Sequence, residues 1–206
     1  MISFSHNFIF VHVPKTGGTS IQSILGKYCI DEISYTQTGD NEPQMVLSNM
    51  FGISKHSPLF KYKKRIPKAQ FKEMKIIAVM RNPWDRLVSM YFSAHKDPKD
   101  WEAGAVKKTL KRVYPLTYYL SRISVGKYPD PNPEFYKNVH FLLKFENLEE
   151  DFKRLCQKLS IPYEPLPKLN VSKNRQIEYR KYYMPDLREE VQIKYADEIK
   201  RGKYVF

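Results

Sequence analysis

The sequence predicts an α/β fold: a single domain with a central parallel β-sheet flanked by helices. Three observations carry this. Short apolar runs rich in β-formers occupy residues 8–13, 75–80 and 139–145, each run is followed by apolar residues at helical spacing, and 206 residues suit one hydrophobic core. Strands that alternate with helices pair in parallel and build layered α/β domains. A composition of 42% hydrophobic and 14% aromatic residues supplies material for that core and excludes disorder, a coiled coil and collagen.

Phe8, Ile9, Phe10 and Val11 read as a strand buried on both faces. Gly17 and Gly18 break it, and Ile21, Ile24, Leu25 and Tyr28 then fall at i, i+3, i+4 and i+7, the pattern of an amphipathic helix. The second strand, residues 75–80, runs into Arg81 and Asn82. Asn82 suits an N-cap, Pro83 the first helical position and Asp85 the first turn, where a carboxylate complements the helix dipole. Trp84, Leu87, Val88 and Tyr91 continue at helical spacing. The third strand, 139–145, leads into a helix over 146–160 with Leu148, Phe152, Leu155 and Leu159 on one face. Residues 101–127 read as two further helices broken near Pro115, and 129–133 as a loop. Residues 161–175 hold three prolines and the cations Lys168, Lys173 and Arg175 without periodicity, so they form a loop laid over something. Leu187, Val191, Tyr195 and Ile199 predict one closing C-terminal helix, and the chain has no internal repeat.

The 35 Lys+Arg exceed the 22 Asp+Glu, giving +13 and a partner class of nucleic acid, anionic membrane or polyanionic small substrate. The excess is uneven. The first 50 residues carry Lys15 and Lys27 against Asp31, Glu32, Asp40 and Glu42, whereas between 61 and 75 Lys61, Lys63, Lys64, Arg65, Lys68, Lys72 and Lys75 face only Glu73. That stretch is either a binding strip for an anionic acceptor or a solvated face. Cys29 and Cys156 lie in no metal-ligand or CxxC spacing and read as reduced packing residues. No apolar run reaches membrane-spanning length, and residues 8–13 are too short for a signal peptide, so the expectation is a soluble cytoplasmic protein in which the Asn170-Val171-Ser172 sequon carries no sugar.

Two segments carry chemistry. Pro14-Lys15-Thr16-Gly17-Gly18-Thr19-Ser20, within residues 13–20, stands between a strand and its helix. Its glycines let backbone approach a ligand, the helix start offers unpaired N–H groups, and Lys15, Thr16, Thr19 and Ser20 add a charge and three hydroxyls, which makes an anion cradle. It is not a Walker A loop, because Lys15 precedes both glycines. The second segment is Arg81-Asn82-Pro83-Trp84-Asp85-Arg86-Leu87-Val88-Ser89-Met90-Tyr91, residues 81–91. Arg81 stands at the strand end where open α/β sheets bind ligands, and Ser89 lies two turns into the helix; together they suit one phosphate monoester. Arg86 reads as a surface helix charge.

The first segment resembles the 5′-phosphosulfate loop of sulfotransferases and the second their 3′-phosphate motif. The similarity is nearest to glycan O-sulfotransferases and compact bacterial relatives, and extends to Phe141-Leu142-Leu143-Lys144-Phe145-Glu146-Asn147-Leu148, to residues 169–175 and to Tyr179-Arg180. The resemblance implies a P-loop-like sulfotransferase fold and transfer of a sulfuryl group from 3′-phosphoadenosine 5′-phosphosulfate (PAPS) to an acceptor hydroxyl on a carbohydrate, with adenosine 3′,5′-bisphosphate (PAP) as product. It places Lys15 on the bridging and sulfuryl oxygens, Thr16, Gly17, Gly18, Thr19 and Ser20 on the 5′-phosphate, Arg81 and Ser89 on the 3′-phosphate, and Ser172, Lys173 and Arg175 in a loop covering the nucleotide. In-line sulfuryl transfer needs placement and positive charge at the leaving oxygen, which Lys15 supplies, so no metal is expected. A general base would take the acceptor proton. In related glycan enzymes the base lies between the two donor motifs, which points to His56, with His12, a carboxylate or substrate assistance as alternatives; His6, His95 and His140 read as packing or surface residues.

Two other classes predict different features. A nucleotide kinase or NTPase requires Gly-Lys-Ser/Thr and a magnesium-binding carboxylate at a strand end, where this chain has Arg81. A basic nucleic-acid-binding protein fits the charge and the Tyr118-Tyr119 and Tyr182-Tyr183 pairs but has no use for Gly17, Gly18 or Arg81. The acceptor is not specified by residues 31–68 or 101–133, and no feature fixes the oligomeric state.

Overall fold

The computed structural model describes residues 1–37, 43–92, 108–111, 113–120, 138–169 and 178–206. Its main sheet runs in the order β1-β2-β5-β6, where β1 is Ile2–Ser3, β2 Phe8–Val11, β5 Lys75–Met80 and β6 Phe141–Lys144. The pairs β2·β5 and β5·β6 are parallel, with Val11 opposite Ala78 and Ala78 opposite Leu142. The predicted parallel sheet is therefore present. It carries one addition, the two-residue β1, which runs antiparallel along the β2 edge.

Alternation within the central strands divides the core between the two faces. Phe8, Phe10, Ile77 and Val79 pack with Ile21 and Leu25 of α1 (Gly18–Leu25) and with Phe152 and Leu155 of α6 (Leu148–Leu159). Ile9, Val11, Ile76 and Ala78 face Leu59 and Tyr62 of α2 (Leu59–Arg65), Phe71 of α3 (Lys68–Glu73), and Leu116 and Leu120 of α5 (Leu116–Leu120). All eight strand residues are fully buried, each contributing about 1.5–3 kcal/mol of transfer free energy where the side chain is large. A third cluster joins α4 (Pro83–Phe92) to the C-terminal helices through Trp84, Leu87, Val88, Leu187, Val191 and Tyr195.

Several expectations shift in detail. The third strand is confined to Phe141–Lys144, and Phe145–Asn147 form a 3₁₀ turn that delays the following helix to Leu148. Asp151 holds that corner by accepting the Lys144 N–H at 2.7 Å. The C-terminal helix is two, α7 (Pro185–Lys194) and α8 (Ala196–Gly202), because Tyr195 leaves helical geometry at φ −115° and ψ 22° while its hydroxyl bonds the Val113 carbonyl at 2.7 Å. Residues 32–48 hold an unpredicted antiparallel ribbon, β3 (Glu32–Gln37) and β4 (Pro43–Ser48). The basic stretch forms α2 and α3, which bury Tyr62 and Phe71 and leave Lys61, Lys63, Lys64, Lys68 and Lys72 in water. Arg65 differs, donating to the carbonyls of Phe51 and Gly52 at 2.7 and 2.8 Å. Cys156 is fully buried and Cys29 half-buried, both as free thiols. Among the described residues, no helix is long and apolar enough to cross a membrane.

Candidate active site

The segments after β2 and β5 leave adjacent strands at the same edge, because β2 and β5 are parallel neighbours and their C-terminal ends stand side by side. Asn82 caps α4 as the sequence predicts. Its Oδ1 accepts the N–H groups of Trp84 and Asp85 at 3.1 and 3.3 Å, and its own N–H donates to Glu146 at 2.7 Å. Glu146 also accepts the Tyr204 hydroxyl at 3.0 Å, so this one carboxylate ties the start of α4 to the far end of the chain.

The loop after β2 is held in a demanding conformation. Gly17 has φ 79°, and a Cβ on it would also stand 2.7 Å from Leu148. Lys15 has φ 63°, a left-handed conformation that costs a non-glycine residue about 1–2 kcal/mol. Two buried guanidinium groups grip the carbonyls here: Arg81 Nη1 donates to Lys15 O at 2.8 Å and Arg86 Nε to Pro14 O at 3.0 Å. Thr16 is buried and its hydroxyl donates to Val13 O at 2.8 Å, so its side chain braces the loop. Ser20 is also buried, and its Oγ accepts the Leu169 N–H at 3.5 Å, which brings the described part of the 161–175 loop onto the start of α1.

Gly18 serves a different need. A Cβ there would lie 2.2 Å from His12 Cδ2, so absence of a side chain is what admits the buried imidazole against the helix. We expect Gly18→Ala to destabilise the fold by about 1–3 kcal/mol through overpacking, read as a lower denaturant midpoint.

Cations crowd the site. Arg81 is buried, pairs with Asp85 at 2.6 Å and stacks over Phe145 at 3.9 Å. Lys55, which sequence reasoning missed although it precedes His56, places its Nζ 3.3 Å from the Thr19 hydroxyl. Burial, reinforced by Arg81 and Lys55, lowers the Lys15 ammonium to a pKa of about 8. Lys55 is lowered too, by burial. Such a cluster is complementary to a polyanion, whose charge would offset the mutual repulsion.

The two candidate bases are brought together, with ring centroids 4.7 Å apart. His12 is 3% exposed, and burial, with His56 and Lys55 nearby, holds its pKa well below the ordinary value. His56 lies at the surface with its Nδ1 3.2 Å from the His12 carbonyl oxygen. A carbonyl only accepts, so Nδ1 carries the proton and Nε2 keeps its lone pair. Partial burial first, then the charges of Lys55, Arg86 and Lys15, lower the His56 pKa and favour neutral imidazole.

Ser89 is buried on α4, one turn beyond Asp85. Ser172, Lys173 and Arg175 lie outside the described residues, as does His95. His140 accepts the Ile76 N–H at 2.9 Å through Nδ1, and His6 Nδ1 lies 2.9 Å from the Ser5 hydroxyl; both are outside the cluster. Arg86 corrects the sequence reading outright: it is 1% exposed, not a surface charge. Among the described residues, no group of three His, Cys, Asp or Glu could hold a metal.

The profile of the Sulfotransferase family matches residues 1–201. The chain belongs to the sulfotransferase family. Sulfonate transfer is therefore the chemistry its membership supports. An uncharacterized protein of Archaeoglobus fulgidus is 24% identical over 115 residues, 56% of this chain and 92% of that protein. The crystal structure of mouse sulfotransferase SULT7A1 complexed with PAP covers 98% of this chain and 87% of its own at a TM-score of 0.52. Identity there is 14%, so that likeness shows the shared α/β fold.

Proposed function

We propose that this sulfotransferase uses PAPS as donor and transfers its sulfuryl group to a hydroxyl on a carbohydrate acceptor, with His56 as general base. The observation that carries the donor assignment is the meeting of the two segments: Arg81 Nη1 bonds the carbonyl of Lys15 itself, so one cluster of cations serves both. The mouse relative was crystallised with PAP, which agrees with this reading.

Donor chemistry supplies a sulfur that exchanges its bond to the 5′-phosphate oxygen for one to the acceptor oxygen. The protein's part is to place and to neutralise. Backbone N–H groups of residues 16–20 cradle the 5′-phosphate, Lys15 meets the negative charge that grows on its leaving oxygen, and Arg81 with Ser89 holds the 3′-phosphate. His56 Nε2 receives the acceptor proton as the new oxygen–sulfur bond forms. His12 is closed off from the acceptor by burial and serves as the platform on which His56 rests. The exposed lysines of α2 and α3 suit an acceptor that is itself anionic.

Saturating PAP is expected to raise the melting temperature by several degrees, since ligand at about 100 Kd adds about 2.7 kcal/mol and a chain of this size gains about 2–4 °C per kcal/mol. No shift at millimolar PAP would remove the donor assignment. With labelled PAPS and a panel of glycans, phenols and peptides, His56→Ala should cut turnover by about 10²–10⁴-fold while leaving the PAP shift unchanged. Turnover near wild type would take the base role from His56, and transfer only to phenols or peptides would take the acceptor from carbohydrate.

A further inference from the structure

Arg86 is the largest fully buried side chain among the described residues, yet it lies outside the groups proposed to touch the donor or the acceptor. It lies on α4 and reaches three separate parts of the chain. Its Nε bonds Pro14 O at 3.0 Å, next to the strained Lys15; its Nη2 bonds Tyr114 O at 2.9 Å; its Nη1 lies 3.6 Å from Glu198 Oε2. Glu198, on α8, is 1% exposed, and its other oxygen accepts the Leu116 N–H at 2.5 Å. Both members of this ion pair are thus desolvated, an arrangement that contributes little stability over an apolar pair of the same shape. Its geometry ends on the donor loop. Arg81 holds the Lys15 carbonyl and Arg86 the carbonyl one residue earlier, so the two peptide groups that flank left-handed Lys15 are each held by a guanidinium.

We propose that Arg86, held by Glu198, is a positioning residue for sulfuryl transfer: by gripping the Pro14 carbonyl it fixes the backbone that aims Lys15, which makes the C-terminal helix α8 part of the donor site. This rests on Lys15 acting as the donor's leaving-group cation, as proposed above. Arg86 touches no substrate and acts only through Pro14. The Glu198 carboxylate sets the guanidinium's place, and the two hydrogen bonds to carbonyls fix its plane.

The test uses the full chain with Arg86→Met/Glu198→Gln, which removes both charges together and leaves no lone buried ion, and Arg86→Lys, which keeps the charge but loses the two-armed grip. Fold is checked by circular dichroism and thermal midpoint. The readouts are PAP affinity by calorimetry, kcat and KM for PAPS, and the titration of Lys15 followed by NMR on ¹³C-methylated lysines, assigned by its absence in Lys15→Ala. We expect both variants to fold, kcat to fall at least tenfold with a smaller change in KM, and Lys15 to titrate higher than in the wild type as it relaxes toward solvent. A purely structural pair would lower the midpoint and leave the kcat/KM split and the Lys15 titration where they are; that result overturns the proposal, as does failure of both variants to fold. Wild-type protein that binds no PAP would instead overturn the donor reading, while the Lys15 titration would still report whether Arg86 positions the loop.

Discussion

Lys15→Ala is expected to lower kcat/KM by on the order of 10²–10³, the effect of deleting one preorganised group at a centre of developing charge. The pH profile should identify the mechanism. In the free protein Lys15 titrates at about 8, lowered from 10.5, so its charge is present below that pH and lost above it. As the proposed base, His56 must be neutral to act, and burial lowers its pKa from the ordinary imidazole value, so activity should rise with pH through the acid range. The product of the two is a bell, and the free-enzyme constants govern kcat/KM. Removing Lys15 should abolish the alkaline limb and keep the acid one. Initial rates across the pH range check this; an alkaline limb that survives in Lys15→Ala would assign it to another group, and Lys55 stands nearest in character.

Arg81→Ala should weaken PAP binding by about 2–4 kcal/mol, roughly 30- to 700-fold, because a buried charged donor is removed from a site built to hold anions. It has a second cost. The guanidinium bridges Asp85 and the Lys15 carbonyl, so its loss breaks a buried ion pair and should destabilise the fold by about 3 kcal/mol. Arg81→Lys restores the charge but not the planar fork and should recover only part of either quantity. Calorimetric affinity beside a denaturation curve separates the two effects; PAP affinity equal to wild type would end the 3′-phosphate role of Arg81.

The parts of the fold legible in the sequence are those whose burial is two-sided. Strands β2 and β5 are continuous apolar runs because helices cover both faces, and Asn82, Pro83 and Asp85 write the start of α4 in local hydrogen-bond chemistry. The β3·β4 ribbon escaped because it lies outside the main sheet and Tyr35 is 62% exposed, so the described side chains of its strands form no continuous buried run. Helices α2 and α3 were masked by their lysines, although Leu59, Tyr62 and Ile66 keep helical spacing beneath them. Within the candidate site, the meeting of the Lys15 loop with Arg81 was legible because both stand at strand-to-helix junctions on one edge of a parallel sheet. Arg86 was not. Its partners at Pro14, Tyr114 and Glu198 are all remote in sequence, and no local pattern distinguishes an arginine that turns inward from one that faces water.

The parallel register that sets Phe8 opposite Lys75 spans α1, the ribbon and both basic helices, so it closes a long loop whose conformational freedom is surrendered on folding. A nucleotide held as proposed, at one end by the loop after β2 and at the other by Arg81, would bridge the two sides of that closure. It would act as a reversible cross-link, in the sense in which a disulfide is a permanent one. Amide exchange in β2 and β5 should therefore slow when PAP binds, farther from the ligand than contact alone would reach, because those strands cannot part without releasing it.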